Sequence, residues 1–200
     1  MLIEHRGRRP QVAPSAYVAP NATVCGDVIV GEQCRILFGA VLTAEGGIVE
    51  LGEQVIVMEQ AVVRGRAGHH AVIGRHTLIG PHAHVNGAVV GEAVFLATGV
   101  SVFPGARIGA GAEVRINGVV HVNSVLPDEA VVPIGWVAVG DPARILPSAE
   151  HERIWAVQRD LDFVGTVYGI EPASPREEMA EITRRYAELF GSHRDDFVIG

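Results

Sequence analysis

Branched aliphatic residues recur at every sixth position over most of this chain. A period of six fits neither an α-helix nor the alternation of a long strand. It is typical of short strands separated by tight corners and stacked as a parallel β-helix, in which each unit sends one aliphatic side chain into a narrow interior. Nineteen units follow this pattern, which predicts about six coils of three units each. The aliphatic positions are Val18, Val24, Val30, Ile36, Leu42, Leu51, Val57, Val63, Ile73, Ile79, Val85, Val90, Leu96, Val102, Ile108, Val114, Val120, Leu126 and Val132.

Small residues and glycine fill the other regular places of the repeat. The fifth residue of a unit is usually small or branched, as at Ala22, and glycine often follows the aliphatic, as at Gly31. Glycine suits tight corners because it adopts positive φ angles without strain. We interpret both cysteines, Cys25 and Cys34, as small apolar members of this pattern with free, reduced thiols.

Two insertions interrupt the period, at residues 44–50 and 65–71. Both are too short to be domains, so we expect loops at coil corners. Loops on a rigid scaffold are frequent sites of function.

Helical spacing replaces the repeat after residue 147. The apolar stripes of two predicted helices are Ile154, Val157, Leu161, Val164 and Tyr168 in the first, and Met179, Ile182, Tyr186 and Leu189 in the second. Ser174, Pro175 and Glu177 form a capping-box signal at the start of the second helix. We therefore predict a β-helix domain over residues 10–147 and a helical extension over residues 148–200. The extension should pack on the β-helix or on a neighbouring subunit, with residues 192–200 ordered only if they dock.

Composition and charge narrow the classes of partner. The chain is 48% hydrophobic but only 6% aromatic, which suits thin layers of aliphatic residues. Its formal net charge is −7 and no long basic run occurs, which argues against nucleic acid as a partner. Neither a secretory signal peptide nor a run of about 18 apolar residues is present, so we expect a cytoplasmic protein without a membrane partner.

Two segments resemble a known family of hexapeptide-repeat proteins. PQVAPSAYVAPNATVCGDVIVGEQCRILFGAVL, beginning at residue 10, and GWVAVGDPARIL, at the end of the repeat, resemble the γ-class carbonic anhydrases. The second segment is also similar to the ending of hexapeptide acyltransferases. The resemblance covers residues 10–147 and implies an all-β, left-handed parallel β-helix, whereas the general crossover rule alone favours a right-handed one. It also implies a homotrimer with zinc sites between subunits, each holding three histidines.

The three zinc-ligand positions of that family carry no histidine in this chain. Residue by residue, they correspond to Arg64, Pro81 and Asn86. Arginine stays protonated, proline offers no ligating side-chain atom and asparagine is a poor zinc ligand. We therefore predict that the standard site is lost and expect no cofactor.

A relocated zinc site is the alternative that nearby histidines leave open. Its candidate ligands are His69, His70, His82 and His84. Their spacing matches no established ligand pattern.

The same correspondence implies a polar pocket between subunits. Its predicted members are Thr43, Glu45, Met58, Glu59, Arg64, Pro81, Asn86 and His121. We expect the Arg64 guanidinium to occupy the place of the missing cation, with Glu45 and Glu59 as its partners. Such a charge would suit a small anion, for example a carboxylate or bicarbonate.

Three functions follow from these features. The first is a trimeric γ-carbonic anhydrase-like protein without hydratase activity, which binds a small anion or acts as a structural module. The second is a CoA-dependent acyltransferase, in which a histidine serves as base and Arg144 lies near the coenzyme. The third is a metalloenzyme of the carbonic anhydrase or hydro-lyase type with relocated histidine ligands.

Overall fold

The six-residue period folds into three parallel sheets that form the sides of a left-handed prism. The computed structural model describes residues 1–171 and 174–200. Sheet A contains β1 (Leu2–Glu4), β4 (Thr23–Cys25), β7 (Val41–Glu45), β10 (Val62–Arg66), β13 (His84–Asn86), β16 (Ser101–Val102), β19 (Val119–Val120) and β22 (Trp136–Val139), with antiparallel β23 (Arg144–Pro147) and β24 (Phe197–Val198) at its ends. Sheet B contains β2 (Gln11–Val12), β5 (Val28–Val30), β8 (Val49–Leu51), β11 (Ala71–Ile73), β14 (Val89–Val90), β17 (Arg107–Ile108) and β20 (Val125–Leu126). Sheet C contains β3 (Tyr17–Val18), β6 (Arg35–Ile36), β9 (Ile56–Val57), β12 (Leu78–Ile79), β15 (Phe95–Leu96), β18 (Glu113–Val114) and β21 (Val131–Val132).

Each strand sends its aliphatic residue into the prism, in register with the strand of the next coil. In sheet A, Leu42 pairs with Val63 and Val63 pairs with Val85, and all three are fully buried. Burial of this stack is the main stabilising contribution in a fold that has few large rings.

The prism has about eight turns rather than the six predicted. Three further strands lie outside the run of nineteen units, and they contribute Leu2, Val12 and Ala138 to the same register. Val12 is in phase with the run, whereas Leu2 precedes an irregular connection and Ala138 is not branched. The β stack therefore begins at Leu2 instead of residue 10.

Many coil corners adopt a left-handed backbone without glycine. The residues other than glycine with positive φ at these corners are Gln33, Gln54, Gln60, His76, His82, Ala93, Asn117, Asn123 and Glu129. Except for Ala93, these corner residues have polar side chains, and the two histidines among them occupy equivalent conformations at different edges of the prism.

The two insertions lengthen strands of sheet A and then form short turns at the corner, at residues 47–48 and 67–68. Strands β7 and β10 have five residues each, and their added residues pair Ala44 with Gly65 and Glu45 with Arg66. A Cβ atom on Gly65 would lie 2.3 Å from the carbonyl oxygen of Ile48, so glycine permits this close approach. The insertions therefore place Glu45 and Arg66 next to each other at the edge of sheet A.

The described residues of the C-terminal extension form three α-helices where two were predicted. They are α1 (His151–Gln158), α2 (Phe163–Tyr168) and α3 (Pro175–Gly191), with 3₁₀ turns at Arg159–Leu161 and Ser192–Asp195. The first predicted helix is interrupted at Asp162, which has a φ angle of 46° and accepts a hydrogen bond from the Gly165 N–H. The predicted capping box is confirmed, because Glu177 accepts a hydrogen bond from the Ser174 N–H at 3.2 Å. In the part of the chain that the structure describes, none of the helices is both long and apolar enough to span a membrane.

The helices and the tail lie against sheet A of their own chain. Helix α1 buries Ile154 against Val139, and α2 brings Phe163 to 5.8 Å from Phe103, measured between ring centres. The tail docks through β24, which pairs with β1 and places Val198 opposite Ile3. One face of the prism is therefore covered from within the chain.

Candidate functional site

One column of side chains runs along the outer surface of sheet A. The strand register aligns, in order, Cys25, Thr43, Arg64 and Asn86, and the next two coils continue the column with Phe103 and His121. These side chains therefore form one continuous column within a single chain. Cys25, interpreted above as a small apolar member of the repeat, belongs to this outer column, whereas Cys34 lies in the interior and is fully buried.

A small cavity lies beside Arg64, between sheet A and α3. It has a volume of about 100 Å³ and is lined by Glu45, Arg64, Arg66, Ala67, Tyr186, Leu189 and Phe190. The Nε atom of Arg64 is buried and has no hydrogen-bond partner within residues 1–171 and 174–200. The guanidinium carbon lies 6.0 Å from the centre of the Phe190 ring. Among the described residues the positive charge thus lies near an aromatic ring and forms no ion pair, although Glu45 lines the same cavity.

Arg64 does not form the predicted ion pairs with Glu45 and Glu59 in the described part of one chain. Glu45 instead accepts a hydrogen bond from the Thr43 hydroxyl at 2.8 Å and contacts Nε2 of His193 at 3.1 Å. The carboxylate is 6% exposed. Its polar partners come from its own strand and from the C-terminal segment, which sequence reasoning had not placed on this face.

Arg66 ties the C-terminal helices to sheet A. Its guanidinium donates hydrogen bonds to the backbone carbonyl of Val167 and, at 3.3 Å, to the hydroxyl of Tyr186. Hydrogen bonds from a charged group to buried acceptors are among the stronger ones in proteins. Arg66 therefore holds α2 and α3 together above the cavity.

His121 is enclosed between Phe103 of sheet A and Phe163 of α2. The distances between ring centres are 6.0 and 5.7 Å, respectively, and His121 is 7% exposed. Burial lowers the pKa of His121, because its charged form would lose hydration there. The helix of the same chain covers this histidine, so it does not face an open groove in one chain.

A larger cavity crosses the outer surface of sheet C. It has a volume of about 480 Å³ and is lined by Met58, Leu78, Gly80, Pro81, Phe95, Ala97, Thr98, Glu113, Arg115, Ile116 and Ile134. We call it the sheet C groove. Its polar end carries Arg115, whose Nε–H donates a hydrogen bond to Glu113 at 3.0 Å. Phe95 and Ile134 are 42% and 63% exposed, so large apolar surfaces border it.

Within one chain, the predicted pocket divides between these two faces. Met58 and Pro81 line the sheet C groove, whereas Glu45 and Arg64 line the cavity on sheet A. Glu59 is half-buried at the corner between the two sheets. The family's zinc does not fit this chain, because its three ligand positions hold no imidazole, thiolate or carboxylate and do not converge here.

The four histidines considered as relocated ligands do not form such a site either. None belongs to a group of three or more potential metal ligands among the described residues. His70 accepts a hydrogen bond from the Ile48 N–H through Nδ1, and His82 is exposed at a corner. Burial lowers the pKa of both His69 and His84.

One group of potential metal ligands lies where the two ends of the chain meet on sheet A. It consists of His5, Cys25, His193 and Asp196, whose ligand atoms all lie within 4.8 Å of one another. We call it the terminal cluster. Nδ1 of His5 and Nδ1 of His193 contact the two carboxylate oxygens of Asp196, at 2.6 and 2.7 Å. The Cys25 thiol lies 3.8 Å from one of those oxygens.

The ionisable groups of the terminal cluster shift one another's pKa values. Burial opposes the charged form of His193, but its hydrogen bond to Asp196 and the charge of Glu45 outweigh this and raise its pKa. Burial likewise opposes the charge of Asp196, but hydrogen bonds from the two histidines lower its pKa. Burial first, and then the charges of Asp196 and Glu45, raise the pKa of Cys25 to about 11.

Sequence reasoning missed the terminal cluster, although one signal was available. Cys25 directly follows the inward Val24, which places it in phase with Thr43 and Arg64 on the outer face. His5 precedes the run of repeats, and the C-terminal ligands follow a helix, so no period relates them to Cys25.

Comparisons with known proteins give short sequence matches of two kinds. No protein-family model matches the chain. Over 59 residues, 30% of this chain, it is 32% identical to an uncharacterized transferase from Bacillus subtilis, YtoA, and equally to a carbonic anhydrase from Geobacillus kaustophilus. These matches span about a third of each relative, 34% and 32% of its length. Equal identity over equal lengths does not separate the two activities.

Solved structures with detectable similarity include acyltransferases. GDP-perosamine N-acetyl transferase from Caulobacter crescentus, in complex with CoA and GDP-perosamine, is 31% identical over 68% of this chain and 55% of its own, with a TM-score of 0.45. The UDP-N-acetylglucosamine acyltransferase of Francisella novicida is 16% identical over 93% of this chain and 88% of its own, with a TM-score of 0.48. The fold of this chain is the left-handed β-helix of hexapeptide-repeat proteins.

Proposed function

We propose that this protein is an acyltransferase and that the sheet C groove binds the extended arm of an acyl thioester such as acetyl-CoA. The observation that carries the proposal is the groove itself, a cavity of about 480 Å³ with apolar walls and a charged pair at one end. Ligand sites are typically concave and mostly apolar, with a few placed polar groups. The pantetheine arm of coenzyme A, a narrow chain of methylene and amide groups, matches such a trough.

The strand register explains why the trough exists at this height of the prism. One outward position of sheet C, directly after each inward aliphatic, is occupied in successive coils by Met58, Gly80, Ala97 and Arg115. Two small residues therefore lie between two long ones. A Cβ atom on Gly80 would lie 2.7 Å from the backbone of Ala97, so the floor of the groove is backbone packed against backbone.

The chemistry requires a base near the rim of the groove. In acyl transfer, an amine or hydroxyl of the acceptor attacks the thioester carbonyl carbon, the C–S bond breaks, and the proton lost by the acceptor is passed by a base to the departing sulfur. His82 directly follows Pro81, which lines the groove, and its side chain is exposed at that corner. We assign His82 the role of base within this proposal.

Binding of acetyl-CoA to the full chain tests the groove. Isothermal titration calorimetry should give saturable binding, and Thr98→Trp, which places a large ring over an exposed lining position, should weaken it at least about tenfold. Val89→Trp, at an exposed position of sheet B, is the matched control and should bind as the parent chain does. Equal binding by both variants, or none by the parent chain, would contradict the proposal.

Histidine substitutions at two corners test the base. His82→Gln should lower the rate of acetyl transfer to a panel of amines about 100-fold without changing acetyl-CoA affinity. His76→Gln is the control, since His76 has the same left-handed corner conformation at another edge of the prism. Glutamine already occupies such corners at Gln33 and Gln60, so both variants should fold. Equal rates for the two variants would remove His82 from the reaction.

A second candidate function is small-anion binding at Arg64, which the γ-carbonic anhydrase-like interpretation predicts. The buried, unpartnered Nε of Arg64 in a cavity of about 100 Å³ favours it. We place it second because the chain's own helix α3 covers that cavity and Glu45 lies in its wall. Thermal unfolding with bicarbonate or acetate tests it: each should stabilise the parent chain and leave Arg64→Gln unchanged, whereas equal shifts in both would exclude the site.

A further inference from the structure

We propose that the terminal cluster of His5, Cys25, His193 and Asp196 binds a divalent transition-metal ion, with Zn²⁺ as the best match, and that the ion fastens the C-terminal segment to sheet A. This site is separate from the sheet C groove and does not depend on the proposed acyltransferase activity. It also shares no residue with the three positions that correspond to the zinc ligands of the γ-class family.

The geometry brings four donors together from three distant parts of the chain. His5 follows strand β1, Cys25 ends β4, and His193 and Asp196 lie between α3 and β24. Their four ligand atoms lie within 4.8 Å of one another. The rings of His5 and His193 stack at 4.3 Å, measured between their centres, and each imidazole contacts one of the two carboxylate oxygens of Asp196.

The donor types are those that zinc prefers. Structural zinc sites use imidazole nitrogen, thiolate sulfur and carboxylate oxygen in a set of four, and this cluster offers two nitrogens, one sulfur and one carboxylate. One thiolate and one carboxylate also carry the two negative charges that balance a divalent cation. Calcium and magnesium, which prefer sets of oxygen ligands, suit this cluster less well.

An outer set of polar groups orients one of the ligands. Nε2 of His193 contacts Glu45 at 3.1 Å, and Glu45 accepts a hydrogen bond from the Thr43 hydroxyl. A carboxylate behind a metal-binding histidine is the usual arrangement that fixes the ring and raises its basicity. Glu45 is therefore a positioning residue for the proposed site.

A second, independent observation is an unpartnered nitrogen beside the cluster. His5 is 2% exposed, yet its Nε2 atom has no hydrogen-bond partner in the part of the chain that the structure describes. Leaving a buried polar atom without a partner is costly, and a bound ion would remove that cost if this nitrogen ligates it. His5 also lines a surface cavity of about 260 Å³, which gives an ion a path from solvent.

Coordination would link metal binding to the docking of the C-terminal tail on sheet A. Without an ion, the tail is attached by β24 and by hydrogen bonds around Asp196. With an ion bound, the segment after β1, strand β4 and the C-terminal tail would all be held by ligands of the same metal. Metal binding would therefore stabilise the folded chain.

The test uses the full chain, stripped of metal with a chelator and titrated with Zn²⁺ alone in competition with a chromophoric chelator. We expect one equivalent of Zn²⁺ to bind and to raise the thermal unfolding temperature. Co²⁺ in its place should give an intense thiolate-to-metal absorption band. Cys25→Ser should abolish that band, and both Cys25→Ser and His193→Gln should weaken Zn²⁺ binding about 100-fold or more.

Matched variants keep the result interpretable. Cys34→Ser alters the other buried cysteine, whose thiol contacts the Gly52 carbonyl in the interior, and should bind Zn²⁺ as the parent chain does. Glu45→Gln keeps the size of the positioning residue and should weaken binding about tenfold to 100-fold. If a ligand variant fails to fold, the Co²⁺ band of the parent chain and the Glu45→Gln titration decide the question. Failure of the parent chain to bind one equivalent, or binding that Cys25→Ser and Glu45→Gln leave unchanged, would overturn the proposal.

Discussion

Sheets A and C are built from the same repeat, yet their outer surfaces are opposite in character. Apart from Phe103, the outer column of sheet A holds polar and ionisable residues, and it is covered by the helices and tail of its own chain. The outer surface of sheet C is rich in apolar residues, has no covering helix among the described residues, and carries the open groove. The period of six determines which side chains point inward, but the outward residues and the C-terminal extension decide what each face can bind.

The largest effect that separates the two faces should come from removing one phenylalanine from each. Phe163→Ala removes the α2 ring that packs on Phe103 and His121, and should lower the free energy of unfolding by about 2–4 kcal/mol. Phe95→Ala, at an exposed position of sheet C, should lower it by less than about 1 kcal/mol. Urea denaturation measures both, and equal losses would show that the two faces are not packed differently.

A smaller contrast should separate two arginines. Arg66→Ala removes the hydrogen bonds to the Val167 carbonyl and the Tyr186 hydroxyl, at an expected loss of about 2 kcal/mol. Arg75→Ala breaks an exposed ion pair with Glu92 on the prism surface and should cost less than about 1 kcal/mol. The same urea measurement applies. A loss at Arg66 no greater than at Arg75 would mean that the helices are held on sheet A by other contacts.

The smallest expected effect is a pH dependence from His121. Its pKa is lowered in the folded state, so below about pH 6.5 the unfolded chain binds a proton that the folded chain resists. The contribution of His121 to stability is therefore complete above its ordinary pKa and is lost as the pH falls through that region. His121→Phe should lose less stability than the parent chain between pH 7 and pH 5. Identical pH profiles would indicate that His121 is not held neutral under α2.

The interior of the fold was predictable because every coil needs an apolar side chain at the same inward positions. A residue such as Val63 must pack on the inward aliphatic residues of the coils before and after it, so the sequence alone locates it. The capping box of α3 was predictable because it depends only on residues close together in the sequence. The number of turns was underestimated because the strands that contribute Leu2, Val12 and Ala138 lie outside the run of nineteen units. Local rules also failed to show the interruption at Asp162 between α1 and α2.

The sites were less predictable because they depend on contacts between distant segments. The strand register places Arg64 in an outer column, but Glu45, its predicted carboxylate partner, is held by His193, which is 148 residues away from Glu45. The terminal cluster likewise joins both ends of the chain around Cys25. The sheet C groove results from the sizes of Gly80 and Ala97 in adjacent coils, a feature that becomes meaningful only once the coils are stacked.

Amide hydrogen exchange of the full chain, with and without acetyl-CoA, tests most directly whether the two faces have separate roles. We predict that acetyl-CoA slows exchange in segments 78–81, 95–98 and 113–116, which form the sheet C groove, and leaves segments 62–66 and 186–190 unchanged. Slower exchange in segments 62–66 and 186–190, or no change at the groove, would contradict the assignment of ligand binding to sheet C.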